Sequence, residues 1–348
     1  MRDMSRKIIR ELAGHQKEKL VSLMFDYHRS HGFPYPEMRD YEIWKDFFVL
    51  QNMDAKITEH YEPLFDCTSR SIEIRSEGMR AATYFHSHIW DSYAIGMRSP
   101  MGSYVDDGLL QRAIELAIEI DGDIGDLYVR NKLGLVRGAQ RCSNFRPSAA
   151  KAIYKRYVPL DAECVLDPSS GYGGRLLGFL SLEMGAKYVG VDPSLPSCEG
   201  NEKMAEFFGR SNKVEMVNSP FEDVDLGGRK FDFAFTSPPY FKKEIYSEED
   251  TQSCHRYPDY QSWLDGFLLP MVTKVFEHLK PGCLFALNIN DVNIKSKHYP
   301  LVQDTIKLFT AVGFTEFERL EMCFSTLGKN LEKTKSEPIL VFCKPSYI

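Results

Sequence analysis

The sequence predicts an α/β protein: a doubly wound, mostly parallel sheet with an antiparallel C-terminal hairpin, plus a mostly helical N-terminal region. Three observations carry this expectation. From Cys164 onward, short apolar runs alternate with helical patterns; the first of those runs enters a glycine-rich turn that opens a helix; and the last two strand-like runs lack a convincing helix between them. Strands joined by crossover helices imply parallel pairing with right-handed connections.

Taken in order, Leu20 to Tyr27, Tyr41 to Gln51 and Leu109 to Ile120 have helical periodicity, and Ser71 to Arg75 reads as a short strand. Residues 1–128 are therefore read as a mostly helical accessory region and a candidate for target recognition, with 129–348 as the sheet domain. In the second part, Cys164 to Asp167, Tyr188 to Asp192, Val214 to Val217, Phe231 to Thr236 and Cys283 to Ile289 read as strands. Arg175 to Met184, Ser197 to Phe208 and Tyr260 to Leu279 read as the helices between them, and Glu316 to Met322 with Ile339 to Cys343 as the closing hairpin.

Composition bounds the function. With 348 residues, 43% of them apolar and 26% charged, the chain has the make-up of an ordinary globular protein. Its eight cysteines include no Cys-x-x-Cys pair, so neither a disulfide framework nor a zinc ribbon is expected, and a reducing cytoplasm is the expected location. No run approaches the apolar length that spans a bilayer, and the first residues lack a signal-peptide core, so no membrane partner is expected. The net charge of −6 is unevenly spread: residues 130–156 carry eight Lys and Arg and no Asp or Glu, so that segment is +8 and the remainder −14. Such a strip suits phosphate binding on a protein that avoids polyanions elsewhere, or it is a solvated basic helix face.

The most informative stretch is Thr236-Ser237-Pro238-Pro239-Tyr240. Each proline lacks an N–H, fixes its own φ and holds the preceding residue extended, so the segment is a stiff turn that offers oxygen acceptors. An exocyclic –NH₂ placed there would be held by the Pro238 carbonyl and by Ser237, while Tyr240 offers a face for stacking. Base–aromatic stacking is worth roughly 1–3 kcal/mol. The alternative is a plain Pro-Pro turn after a strand.

A second segment, Asp167-Pro168-Ser169-Ser170-Gly171-Tyr172-Gly173-Gly174, places glycines where a backbone could approach a ligand beyond the carboxyl end of the first strand. Asp192 ends the next strand, where a carboxylate can accept two ribose hydroxyls. A nicotinamide fingerprint is disfavoured because Leu176 stands at its third glycine position. Asp167 would also repel a pyrophosphate and attract a cationic or amino-bearing ligand, as a sulfonium cofactor with a free amino group is.

Over roughly residues 140–345 the chain resembles the S-adenosylmethionine-dependent amino-methyltransferases of nucleic acids, the N4-cytosine and N6-adenine DNA enzymes. The resemblance rests on Thr236 to Tyr240, on Asp167-Pro168 with the glycines after it, on Asp192, and on Asn144-Phe145-Arg146-Pro147-Ser148 upstream. It implies the class I methyltransferase Rossmann-like fold and S-adenosylmethionine as cofactor. By the same resemblance Phe145, Pro147, Asp167, Pro168, Ser169, Gly171, Gly173, Asp192, Ser219 and Phe221 would hold the cofactor, and Ser237, Pro238, Pro239 and Tyr240 the amino group. Ser-Pro-Pro-Tyr is commoner among the cytosine enzymes, so cytosine N4 is preferred and adenine N6 is the alternative; an RNA base or a non-catalytic cofactor-binding protein ranks lower. The chain departs from the family loop Asp-Pro-Phe-x-Gly-x-Gly-Thr at Ser169 and Gly174, which puts the details of the cofactor contacts in question.

The implied partner is DNA, double-stranded with the target base flipped out, because a base inside a duplex cannot reach such a pocket. Arg137 and Arg141 of the basic strip, with Lys242 and Lys243, are the candidate phosphate contacts. No Pro-Cys step is present, so attack on a ring carbon through a cysteine is not expected, and no metal is called for. The loop from Phe241 to Tyr257 is either a cover for the flipped base or a disordered insert. His86 and His88 are read as an aromatic core rather than a metal pair, and Lys329, Lys333 and Lys335 as a second basic cluster.

Overall fold

The computed structural model describes residues 2–62, 67–323 and 336–346, and Lys329, Lys333 and Lys335 lie outside these. The chain packs as two compact units. One gathers Met1–Met38, Ser87–Ser143 and Glu244–Ser247; the other gathers Arg39–His86, Asn144–Lys243 and Glu248–Ile348. A single cut after residue 128 therefore does not describe the packing. Arg39–His86, read from the sequence as part of the accessory region, belongs to the sheet unit because its hairpin hydrogen-bonds into the sheet.

Among the described residues, the main sheet of the sheet unit has nine strands: β1 (Ile57–Glu62), β2 (Cys67–Glu73), β3 (Cys164–Asp167), β4 (Lys187–Asp192), β5 (Val214–Asn218), β6 (Phe231–Thr236), β7 (Leu279–Asn288), β8 (Thr315–Cys323) and β9 (Ser336–Cys343). Their order is β1-β2-β8-β9-β7-β6-β3-β4-β5. Strands β7, β6, β3, β4 and β5 run parallel. β9 lies antiparallel to both β7 and β8, as the sequence predicts for the C-terminal pair. β6 is buried along its whole length, Phe-Asp-Phe-Ala-Phe-Thr, as expected of a central parallel strand covered on both faces.

Strand order reverses between β6 and β3, which opens a crevice beyond their carboxyl ends. Because β9 runs the other way, its first residues reach that same edge: Ile339 pairs with Asn288, the last residue of β7.

Helices Pro147–Tyr157, Gly174–Leu180 and Leu195–Phe207 flank the parallel strands in the sheet unit. The segment predicted as one helix, Tyr260 to Leu279, is Tyr260–Trp263, a π turn at Leu264–Leu268, and Leu269–His278. Pro270 lacks the N–H that an α-helix needs there, and the wider turn just before it accommodates the loss. Helix Leu301–Val312, between β7 and β8, was not anticipated.

The other unit is mainly helical, with Gly14–His31, Pro100–Val105, Asp107–Leu116 and Asp126–Leu133. It also holds a short antiparallel pair, Tyr93–Ala94 with Glu244–Ile245. The segment 241–257 is thus ordered and not a disordered insert. Part of it pairs as a strand, and Ser253–Arg256 is helical, with Arg256 bonded to Glu222 and Asp223 at 2.8 Å each. Among the described residues no helix is long and apolar enough to cross a membrane.

Candidate active site

Two clusters meet the crevice. The first is the loop after β3. Asp167 is fully buried at the end of β3, and its carboxylate is spoken for inside the protein. Arg175 Nε donates to Oδ2 at 2.7 Å, Arg175 Nη2 to Oδ1 at 3.2 Å, Tyr188 Oη to Oδ2 at 2.6 Å, and the Ser169 amide to Oδ1 at 3.3 Å. The expectation that Asp167 receives an amino-bearing ligand is corrected: it is half of a buried ion pair that braces the loop. Arg175 also donates to the Ser169 carbonyl, and the Ser169 amide reaches Thr236 Oγ1 at 3.1 Å. The turn is thereby tied to the end of β6.

Gly171 and Gly173 both take a left-handed backbone, φ +56° and +73°. A methyl group at Gly173 would come within 2.6 Å of Asn201 Oδ1 and 2.7 Å of His86 Cε1, so this glycine serves packing. At Gly171 the nearest atom to such a methyl is the Ser169 carbonyl oxygen at 3.9 Å, so this turn borders open space. Of the two, Gly171 is the one a ligand can approach.

Asp192 ends β4 at 8% exposure. Its Oδ2 accepts the Gly171 amide at 2.8 Å and its Oδ1 the Ser194 amide at 3.0 Å. Each carboxylate oxygen keeps a further lone-pair direction, which suits a vicinal diol. Burial raises the Asp192 pKa to about 6, against the pull of those two amides. Gly171 and Asp192 thus fit a nucleoside cofactor. Ser219 sits half-exposed at the end of β5, its amide on the Asp192 carbonyl at 3.1 Å. Phe221 does not join them: it is 1% exposed, and Lys274, which caps the carbonyls of Phe221, Glu222 and Val224, lies 5.8 Å from its ring centre. A ring packed in this way has no face to give to an adenine.

The upstream segment packs against this loop. Asn144 Nδ2 donates to the Tyr172 carbonyl at 2.7 Å, and a methyl at Gly174 would strike the Phe145 carbonyl. Phe145 is half-exposed and lies edge-on to Phe235, with the Arg175 guanidinium 5.6 Å from its ring centre. Pro147 is buried as the first residue of its helix, where its missing N–H costs nothing. Pro168 and Gly173 are buried as well, so they shape the loop rather than face a ligand.

The second cluster follows β6. Ser237 Oγ donates to Asn288 Oδ1 at 3.2 Å and Tyr240 Oη donates to the same oxygen at 2.9 Å. Tyr240 Oη also lies 3.3 Å from Glu337 Oε2. Asn288 Nδ2 donates to the Pro338 carbonyl at 3.0 Å, which fixes which end of the amide faces the two hydroxyls. Pro238 is buried while Ser237, Pro239 and Tyr240 are half-exposed. Phe241, at φ +54°, turns the chain sharply and buries its ring against Tyr260, Trp263 and Tyr299. Asn288 and Glu337 were missed from sequence. An Asn ending an apolar run was a visible signal for the first, but Glu337 reaches the site only through the antiparallel course of β9.

The basic segment does not survive as a strip. Arg130 donates to the Pro34 carbonyl at 2.5 Å and Lys132 pairs with Asp121 at 2.9 Å. Lys151 caps the carbonyls of Leu50, Gln51 and Met53, Lys155 meets Asp54, and Arg156 meets Glu318. Arg130, Lys132 and Lys151 are buried on internal partners and hold the fold, while Lys155 and Arg156 pair at the surface. Arg137 and Arg141 are exposed, and the Arg141 guanidinium lies 5.5 Å from the Trp90 ring centre. Lys242 and Lys243 are half-exposed, their ammonium groups near the rings of Phe241 and Tyr240. His86 is buried, its Nδ1 2.7 Å from the Ala82 carbonyl, and burial lowers its pKa to about 4. Among the described residues no cluster of three or more His, Cys, Asp or Glu is arranged to hold a metal.

Sheet order, crevice and glycine turn are those of the class I methyltransferase Rossmann-like fold. No family model matches the chain. It is 28% identical over 111 residues to the Type II methyltransferase M.MjaVI of Methanocaldococcus jannaschii, a match that spans 32% of this chain and about half, 54%, of that protein. Similar solved structures include a methyltransferase from Pyrococcus furiosus, 18% identical, with a TM-score of 0.38 over 57% of this chain and 83% of that one. Another is TrmN from Thermus thermophilus, 15% identical, with a TM-score of 0.39 over 61% and 51%.

Proposed function

We propose that this chain is an S-adenosylmethionine-dependent amino-methyltransferase acting on DNA, with the exocyclic N4 of cytosine as its target. The observation that carries the reading is the direction of the Ser237 hydroxyl. Its hydrogen goes to Asn288 Oδ1, so its lone pairs are left to accept from a substrate –NH₂. An amine lone pair delocalised into a ring is a poor nucleophile. Hydrogen bonds from the –NH₂ to Ser237 Oγ and to the Pro238 carbonyl favour a pyramidal nitrogen and free that pair. Tyr240 supplies the stacking ring, and the stiff prolines hold the acceptors in place without reorganisation.

Gly171 and Asp192 would hold the cofactor, with Phe145, Ser169 and Ser219 around them and Asp167 acting through Arg175. When bound, the cofactor would supply an electrophilic sulfonium methyl group, toward which Ser237 and the Pro238 carbonyl would hold the amine nitrogen. DNA as the partner rests on the resemblance of Thr236 to Tyr240 to the DNA enzymes and on Arg137, Arg141, Lys242 and Lys243.

The test is to incubate the purified chain with DNA or RNA and isotopically labelled cofactor, digest to nucleosides and identify the labelled base by mass spectrometry. Label on N4-methylcytosine in DNA is expected. Label on adenine N6 or on an RNA nucleoside would replace the target while keeping the chemistry, and label on no nucleoside would overturn the reading.

A further inference from the structure

The methyl-transfer reading uses Ser237, Pro238 and Tyr240, but the structure surrounds Tyr240 with more than that reading needs. Its phenol oxygen has two acceptors drawn from two other strands: Asn288 Oδ1 at the end of β7 and Glu337 Oε2 at the start of β9, 2.9 and 3.3 Å away. Asn288 is 1% exposed and locked by its bond to Pro338, the neighbour of Glu337. The Lys243 ammonium lies 5.3 Å from the centre of the Tyr240 ring. The tyrosine is thus gripped at its hydroxyl end by two strands and on its ring by a cation from its own loop.

Taking the amino-methyltransferase reading as its basis, we infer that Glu337, together with Asn288, is a positioning residue that fixes the plane of Tyr240 before a base stacks on it. Stacking on a ring that rotates freely would have to immobilise it at the moment of binding; a ring already held incurs no such loss. Burial raises the Glu337 pKa, while Lys243 and the Tyr240 hydrogen bond pull it back down. Both protonation states serve the grip: the single phenol hydrogen is shared between Asn288 Oδ1 and the carboxylate, or it goes to Asn288 while the carboxylic acid donates to the phenol oxygen. The role is therefore one of hydrogen bonding and does not need the charge, which separates it from a general base.

The test uses the full chain as wild type, Glu337→Ala, Glu337→Gln and Asn288→Ala, with transfer of labelled methyl measured alongside cofactor affinity. Glu337→Ala is expected to lower kcat by roughly tenfold with cofactor Kd within about twofold of wild type. Glu337→Gln, whose amide still bonds to the phenol, is expected to keep most of the rate. Asn288→Ala is expected to lose more, because it also releases Ser237. An alanine variant with wild-type kcat would overturn the inference, and so would a glutamine variant as impaired as alanine.

A readout without substrate accompanies it. The near-ultraviolet difference spectrum between each protein and its Tyr240→Phe counterpart reports the surroundings of that phenol. It is expected to shift in Glu337→Ala and to stay close to wild type in Glu337→Gln; identical spectra in all three would overturn the grip. If wild type methylates no base, the function reading fails, and this spectral comparison still decides whether Glu337 holds Tyr240.

Discussion

Arg175 closes on Asp167 with two hydrogen bonds, 2.7 and 3.2 Å, and both side chains are buried at the foot of the glycine loop. A residue that looks from sequence like a ligand for the cofactor is a strut beneath it. Breaking one half of a buried pair strands the other, at a cost of about 3–5 kcal/mol. Asp167→Ala and Arg175→Ala should each lower the unfolding free energy measured by chemical denaturation by that order. A variant unchanged in stability but unable to bind cofactor would restore Asp167 to a direct role.

The two left-handed glycines should separate stability from binding. Gly173→Ala places a methyl against Asn201, His86 and Met204 at 2.6 to 2.8 Å and should destabilise the protein by more than about 2 kcal/mol. Gly171→Ala meets open space, so only backbone strain of about 1–2 kcal/mol is expected, while cofactor affinity falls because the methyl enters the ligand's approach. Thermal melting beside cofactor titration checks both.

Asp192 gives a pH signature with a defined sign. Burial raises its pKa from 3.8 to about 6, so the folded state holds this proton more tightly than the unfolded chain does. The stabilisation is complete below about pH 4 and is lost as pH rises through about 6, a change of up to about 3 kcal/mol from this group. Asp192→Asn should lack that slope when unfolding free energy is measured from pH 4 to 8. A diol binds best to the ionised carboxylate, so cofactor affinity should weaken as pH falls below about 6 in wild type.

Lys151 was counted from sequence among cations for phosphate, yet it caps three carbonyls at 2.7 to 2.9 Å at the end of helix Asp40–Asn52. Lys151→Met should cost about 2–4 kcal/mol in stability by leaving those carbonyls without a donor. The salt dependence of DNA binding should not change with it. The Arg137→Ala, Arg141→Ala double variant should show the reverse, with near-native stability and a shallower dependence of log affinity on log salt.

What could be read from the sequence follows from what periodicity and turn chemistry encode. β3 to β6 and the closing hairpin were visible as apolar runs at their observed positions within a few residues, with Gly171 in the turn after the first and Asp192 as the end of the second. Of the pair β1–β2, β2 was read in part as Ser71 to Arg75, while β1 was hidden because Ile-Thr-Glu-His-Tyr-Glu is mostly polar, as befits the outermost strand. The charge count could not say which cations had internal partners. That depends on carbonyls and carboxylates more than a hundred residues away, as between Lys151 and Leu50 or Arg156 and Glu318. Glu337 was invisible for a similar reason, since its place beside Tyr240 follows from the register of β9 against β7.

The central claim is that the turn after β6 is an amino clamp separate from the cofactor site. Single-turnover transfer from labelled cofactor to DNA, measured for wild type and Ser237→Ala with cofactor affinity determined on the same samples, tests it most directly. Loss of the hydroxyl acceptor should slow transfer by roughly a hundredfold while cofactor Kd stays within about twofold. Transfer at the wild-type rate in Ser237→Ala, or a collapse of cofactor affinity in its place, would contradict the clamp.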